Sequence, residues 1–256
     1  MRRRWFPALL GVATAAVVLF LTVPVVAIFV DTSPARLIES LGDEGAREAL
    51  WLSLRTTALA MAIIVAVGTP AAYLLATRRF RGRDVAITLV ELPLVLPPAV
   101  AGIALLAAVG PSGILAPAGI SFALQTASVV VALVFVASPF YIRQAQAAFA
   151  AVEPTLVDAS RTLGASEART FARIVVPNAT GGLLAGGALA LGRALGEFGA
   201  TLMFAGSFAG ITQTAPLAIY ERFATDFDAA LALSAVLVAV SAGILLAVKA
   251  LDRERW

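Results

Sequence analysis

Arg193 and Glu197 stand four residues apart in the run GRALGEFGATLMFAG, residues 192–206, whose other members are mostly apolar or small. At that spacing a guanidinium and a carboxylate fall on one helix face and can pair. Two kinds of chemistry are open to them. Arg193 could lend positive potential to the path of an anion, or Glu197 could neutralise it so that the pair locks one helix to its neighbours. A bare anion site would not place a carboxylate beside its cation, which favours the lock. Gly192, Gly196 and Gly199 run beside the pair as a small-residue stripe, expected to let another helix approach closely. Hydroxyl and amide side chains follow at Thr201, Ser207, Thr212, Gln213 and Thr214. They suit the lining of a path that holds an anion weakly, although each also fits an ordinary helix or loop position. The chain has no histidine and no cysteine, so the commonest general base, the thiolate and the commonest metal ligands are missing. No serine has an evident base partner. Neither catalysis nor a metal site is expected.

The elements that must position these residues belong to a membrane. The chain is 60% hydrophobic and 14% charged, with a mean hydropathy of +0.93; a soluble domain is about 45–50% apolar and about 25% charged. Several apolar runs exceed the roughly 18–20 residues that cross about 30 Å of hydrocarbon as a helix. The expected fold class is an all-α polytopic membrane protein with six transmembrane helices, at about 8–30, 53–77, 86–109, 122–142, 179–206 and 229–250. A charge at the bilayer centre costs at least about 2.5–3.5 kcal/mol, so the Arg193 face must turn inward, away from lipid.

A pI near 9.9 would suit nucleic acid, but the distribution of charge gives a better reason. One set of loops and ends carries Arg2, Arg3, Arg4, Arg78, Arg79, Arg81, Arg83, Arg143, Arg161, Arg169, Arg173, Lys249, Arg253 and Arg255; the other carries only Arg36, Arg47, Arg55 and Arg222. The positive-inside bias then places both termini in the cytoplasm. The first span follows a positive n-region, MRRRW, but its apolar stretch of about 23 residues is too long for a signal peptide and no A-x-A site follows, so it is expected to remain as an anchor.

Few segments are left for water. Ser33 and Pro34 read as the N-cap and first residue of a short surface helix carrying Leu37, Ile38 and Leu41. Residues 150–178 read as two short helices: one from Pro154 to Leu163 closed by Gly164, and one capped by Ser166 and ending before Pro177. Such a segment is too short for a core of its own and must pack on the membrane part or on another protein. Pro93, Pro97 and Pro98 should break the third span, freeing backbone groups that only protein or a water-filled cavity can satisfy. Glu91 is placed to reach the interface or to pair with Arg83.

This second segment resembles the cytoplasmic coupling loop of ABC importer permeases, whose pattern is E-A-A, three residues, G, nine residues, I-x-L-P. Asp158, Ala159 and Ser160, then Gly164, then Ile174 to Pro177 occupy those places, with Asp for Glu, Ser for Ala and Val for Leu. SLRTTALAMAIIVAVGTPAAYLLATRRFRGR, LPLVLPPAVAGIAL and ALGEFGATLMFAG followed by TQTAPLAIY are similar to the family's spans, the last to its oxyanion branch and within it to molybdate or tungstate permeases. The resemblance implies a type I importer permease that moves a tetrahedral oxyanion by alternating access, with sulfate or thiosulfate as the other candidate. It also implies that Asp158, Ala159, Ser160, Gly164, Ile174 and Pro177 engage a cytosolic ABC ATPase dimer. ATP and Mg would belong to that ATPase, because the chain has no G-x-x-x-x-G-K-[ST] and no cofactor of its own is expected. The remaining expected partners are an extracytoplasmic substrate-binding protein, a second copy of the chain and membrane lipid, but not nucleic acid. An ion-coupled secondary transporter is the rival class. It would want inverted repeats and titrating membrane carboxylates, and only Glu91 and Glu197 are available.

Overall fold

The computed structural model describes residues 5–253, apart from the side chains of Lys249, Leu251, Asp252 and Arg253. Arg2, Arg3, Arg4 and Arg255 of the charge map therefore lie outside the described residues. All regular structure among the described residues is helical: α1 Trp5–Asp31, α2 Pro34–Gly42, α3 Glu44–Thr77, α4 Arg83–Val95, α5 Pro98–Val109, α6 Thr126–Ala150, α7 Pro154–Thr162, α8 Glu167–Thr170, α9 Val176–Leu195, α10 Gly199–Ala205, α11 Ala215–Phe223 and α12 Phe227–Arg253. A π-helical turn, Phe171–Val175, joins α8 to α9.

Five uninterrupted helical segments are long and apolar enough to cross a membrane: Trp5–Asp31, Glu44–Thr77, Thr126–Ala150, Glu167–Leu195 and Phe227–Val248. The sixth expected span, 86–109, is not a straight helix. It is the pair α4 and α5, whose axes differ by 120°. The chain turns at Leu96 and Pro97 because Pro97 and Pro98 lack N–H donors and Pro97 restricts the residue before it. α1 packs on α12 with no residue buried, its apolar side chains facing outward along its whole length. Such a surface has to be covered, by lipid or by another chain.

α3, α6 and α9 form the heart of the bundle. Ala60, Ile64 and Ala72 meet Val129, Leu133, Ala137 and Tyr141, and these meet Ala179, Ala190 and Ala194. Small residues set the spacing. A Cβ on Gly182 would overlap that of Ala148, and one on Gly186 would lie 3.0 Å from Gln144 Cβ. In lipid, where no hydrophobic effect drives helices together, this close approach supplies the contact energy. One polar contact sits inside, between Thr69 and Tyr141 hydroxyls at 2.7 Å. At one end of the bundle Ala46, Ala49 and Leu50 pack on Ala215, Ala218 and Leu233, and Arg222 of α11 pairs with Asp43.

The second of the two short helices does not end at Pro177. The helical run from Glu167 continues through the proline to Leu195. Just ahead of it Val176 N–H donates to Phe171 O, five residues back. This widened turn absorbs the missing donor of Pro177, so the chain passes on into α9 without a stop.

Candidate functional site

α9 ends at Leu195 and α10 begins at Gly199, so Arg193 and Glu197 do not share an unbroken helix and the expected span 179–206 is interrupted. Gly196 caps α9. Glu197 supplies what the break lacks: its Oε1 accepts the Ala200 N–H at 2.7 Å, satisfying one of the orphan donors of α10. Its Oε2 lies 2.5 Å from Arg193 Nη2, the carboxylate 1% exposed and the guanidinium 27% exposed. The pair thus forms across the helix break. One carboxylate does both jobs, capping α10 and neutralising Arg193, which is how a buried charge is made tolerable.

This break faces the one in the third span. A Cβ on Gly199 would lie 2.7 Å from Pro98 Cβ, and one on Gly102 would lie 2.6 Å from Met203 Cβ and 2.7 Å from Ala200 O. α5 and α10 therefore run side by side from their breaks, and Ala101, Leu105, Ala200 and Phe204 close the contact with Ala132 and Val136 of α6. Gly199 is a true close-approach glycine. Gly192 and Gly196 are not: a Cβ on Gly192 would meet nothing within 4 Å, and one on Gly196 only its own helix. They line an open apolar groove against α12, with Ala188, Leu195 and Leu245. The expected stripe fails because the helix ends inside it.

Among the hydroxyl and amide candidates, Thr201 on α10 is fully buried. Thr212 accepts the Phe208 N–H at 3.0 Å and braces the loop before α11. Gln213 donates to Ser207 Oγ at 3.4 Å and to Glu221, while Thr214 sits at the N-cap of α11. Thr201 belongs to the break, whereas Thr212, Gln213 and Thr214 form a separate, loop-bracing group.

The 150–178 segment has its own organisation. Gly164 adopts φ +79°, the left-handed turn that lets α7 fold back on α8. Asp158 lies in the middle of α7, 3.5 Å from Arg161, rather than at the helix start where it could serve the dipole. Arg161 makes a fork with Glu167, at 2.9 and 3.0 Å, and Arg78 at the end of α3 approaches the same carboxylate at 3.9 Å. Two guanidiniums thus converge on the Glu167 carboxylate. Ser160 and Thr170 hydroxyls meet at 3.0 Å. Ile174 is half-buried, while Ala159 and Pro177 are exposed. α7 turns Leu156 (42% exposed), Ala159 and Leu163 (87% exposed) outward. Glu91, expected to reach the interface or to pair with Arg83, pairs with Arg143 of α6 at 2.8 Å, since α4 packs against α6.

Sequence reasoning missed the Arg78–Glu167–Arg161 network, the helix α11 and the packing glycines 102, 182 and 186. The Gly182 and Gly186 spacing of four was a usable signal; the ion pairs join residues whose proximity only the fold creates.

Residues 68–255 match the family described as the binding-protein-dependent transport system inner membrane component. The chain belongs to that family. It is 41% identical over 255 residues to the molybdenum transport system permease protein ModB of Mycobacterium tuberculosis, covering 96% of this chain and 94% of the relative. It is 39% identical over 239 residues to a probable molybdenum ABC transporter permease protein of Haloferax volcanii, covering 93% and 87%. A sulfate transport system permease protein, CysW of Synechocystis, is 29% identical over 254 residues, covering 96% and 92%. Among solved structures, a bacterial ABC transporter that imports the acidic polysaccharide alginate superposes with a TM-score of 0.78 at 18% identity, covering 99% of this chain and 96% of that one. The MetNI methionine ABC transporter gives 0.64 at 20%, covering 81% and 94%. The fold is that of a type I ABC importer permease. The chain is a multi-pass permease subunit of the plasma membrane and not itself an enzyme.

Proposed function

We propose that this permease conducts a tetrahedral oxyanion, molybdate or tungstate, into the cytoplasm. The observation that carries the substrate class is the 41% identity to a molybdenum permease across 96% of the chain. The 29% identity to a sulfate permease keeps sulfate as the second reading. In this reading two copies of the chain enclose the path, the basic end of the bundle and both termini face the cytoplasm, and a binding protein delivers the anion to the opposite end. A cytosolic ATPase dimer carrying ATP and Mg drives the cycle through α7. Leu156, Ala159 and Leu163 form its docking face, since two exposed leucines on a helix outside the membrane ask for a partner. Asp158, Ser160 and Gly164 shape that face, while Ile174 and Pro177 lie on the helical run that passes its motion to α9. The breaks beside Arg193, Glu197 and Thr201 serve as the gate region, and Thr212, Gln213 and Thr214 lie toward the entry. Arg193 works there as a lock more than as an anion ligand, because Glu197 already neutralises it.

Uptake of labelled molybdate by proteoliposomes holding the complete transporter tests the reading. Import that needs ATP, survives a collapsed proton gradient and yields to unlabelled tungstate but not to equimolar sulfate is the expected result. Equal competition by sulfate would move the substrate to the second reading, and import without ATP would remove the class.

A further inference from the structure

Residues 78–83, RRFRGR, comprise the connection from α3 and the first residue of α4, at the basic end of the bundle. Two of the four arginines are engaged. Arg83 Nε donates to Leu75 O at 2.8 Å and its Nη1 lies 3.6 Å from Asp84, while Arg78 reaches Glu167. Arg79 and Arg81 make no ion pair and no side-chain hydrogen bond among the described residues. Gly82, at φ +87°, turns the loop back so that Arg83 N–H bonds Phe80 O at 3.2 Å. The result is a concave pocket of about 540 Å³ lined by Arg79, Phe80, Gly82, Arg83, Asp84 and Val85, with Arg81 in the same loop.

An apolar track leaves this pocket along α4. Val85, Leu89 and Leu92 recur at positions i, i+4 and i+7 and are 63%, 60% and 44% exposed, so one face of the helix is uncovered from the pocket outward. On the other side Glu91 ties α4 to Arg143 of α6. An uncommitted cationic head joined to an uncovered hydrocarbon track has the polarity of one ligand: an anionic group on an acyl chain.

We propose that this loop and α4 form a binding site for an anionic phospholipid, its phosphate held by Arg79 and Arg81 and an acyl chain lying on Val85, Leu89 and Leu92. A free anion would use the head and leave the track bare. Asp84 lines the same pocket with Arg83 Nη1 3.6 Å from its carboxylate, which leaves Arg79 and Arg81 as the charges without a counter-ion among the described residues. The site is independent of which oxyanion the permease carries, so its failure and the failure of the transport reading are separate results.

Native mass spectrometry of the full chain, purified in detergent and titrated with dioleoyl phosphatidylglycerol or dioleoyl phosphatidylcholine, tests it. The unaltered chain should retain phosphatidylglycerol in preference, and R79Q/R81Q should bind it about thirtyfold more weakly. R79K/R81K keeps the charge and should retain most of the binding, which also separates loss of the site from loss of folding. R169Q/R173Q, at the same end but outside the pocket, should bind as the unaltered chain does. Undiminished binding by R79Q/R81Q overturns the proposal. So does an equal loss in R169Q/R173Q, which would show diffuse charge, and so does displacement of the lipid by millimolar inorganic phosphate, which would show a soluble-anion site.

Discussion

Glu197 shows how one side chain can settle two liabilities at once. Removing it leaves the α10 donors uncapped and Arg193 with no counter-charge in a low-dielectric setting. Breaking a buried pair costs about 3–5 kcal/mol, and loss of the cap adds about 1 kcal/mol. Glu197→Ala is therefore expected to lower the thermal midpoint and the monodisperse yield of the purified permease. Oxyanion preference in whatever uptake remains should be unchanged. Arg193→Ala/Glu197→Ala should recover part of the loss, because it removes the stranded charge; if the double variant is as unstable as the sum of the singles, the lock reading is wrong. At the opposite end, the hydrogen bond from Arg222, followed by the Ala46 N–H, holds the Asp43 carboxyl below its ordinary range. A carboxylate with a lowered pKa contributes stability that is present above its ordinary value and lost as pH falls through the lowered one. The clamp between α11 and the start of α3 should thus be intact at neutral pH and weaken only in strong acid. Asp43→Asn should flatten that acid limb in a thermal-shift series, and because the groups are partly exposed the effect at neutral pH should be no more than about 1 kcal/mol.

Among the elements, α7 is held to its base by ions and hydroxyls and shows its apolar side to the outside. Leu156→Ser/Leu163→Ser should leave the permease as stable as before, since neither side chain is buried in it, while lowering ATPase co-purification and transport together. Gly164→Val, by contrast, forces a β-branched residue to φ +79° and should destabilise the α7–α8 turn itself, by about 1–2 kcal/mol. Much at this level was legible in the sequence. Apolar run length indicated the long helices, Ser33 and Pro34 marked the start of α2, whose Ser33 Oγ accepts the Arg36 N–H, and Pro97 and Pro98 marked the turn at Leu96, whereas Pro93 sits inside α4 without breaking it. What was not legible has a common cause. Helical periodicity carries through a break when the next segment is also apolar, so GRALGEFGATLMFAG read as one helix. A glutamate four residues after an arginine gives the same pattern whether it pairs along a helix or caps the next one. Pro177 misled in the opposite sense, because a π turn absorbs a missing donor and leaves no mark in composition.

For the whole molecule, orientation is the property on which most of the proposed assembly depends. The absence of native cysteine makes it directly measurable. Ile114, 82% exposed between α5 and α6, and Leu163, 87% exposed on the far end, should as single cysteines label differently with a membrane-impermeant maleimide: Ile114→Cys in intact cells, Leu163→Cys only after permeabilisation. The reverse pattern would invert the topology and detach α7 from any cytosolic ATPase. The facing breaks of the third and fifth spans carry a different implication, about inheritance. α5, with 12 residues, and α10, with 7, are each too short to cross about 30 Å of hydrocarbon, and they fit through Gly102 against Ala200 and Gly199 against Pro98. Neither can change length or register alone. Segments 96–109 and 196–206 should therefore behave as one exchangeable cassette: a chimera that takes either from a relative should fail to fold, and one that takes both should be restored.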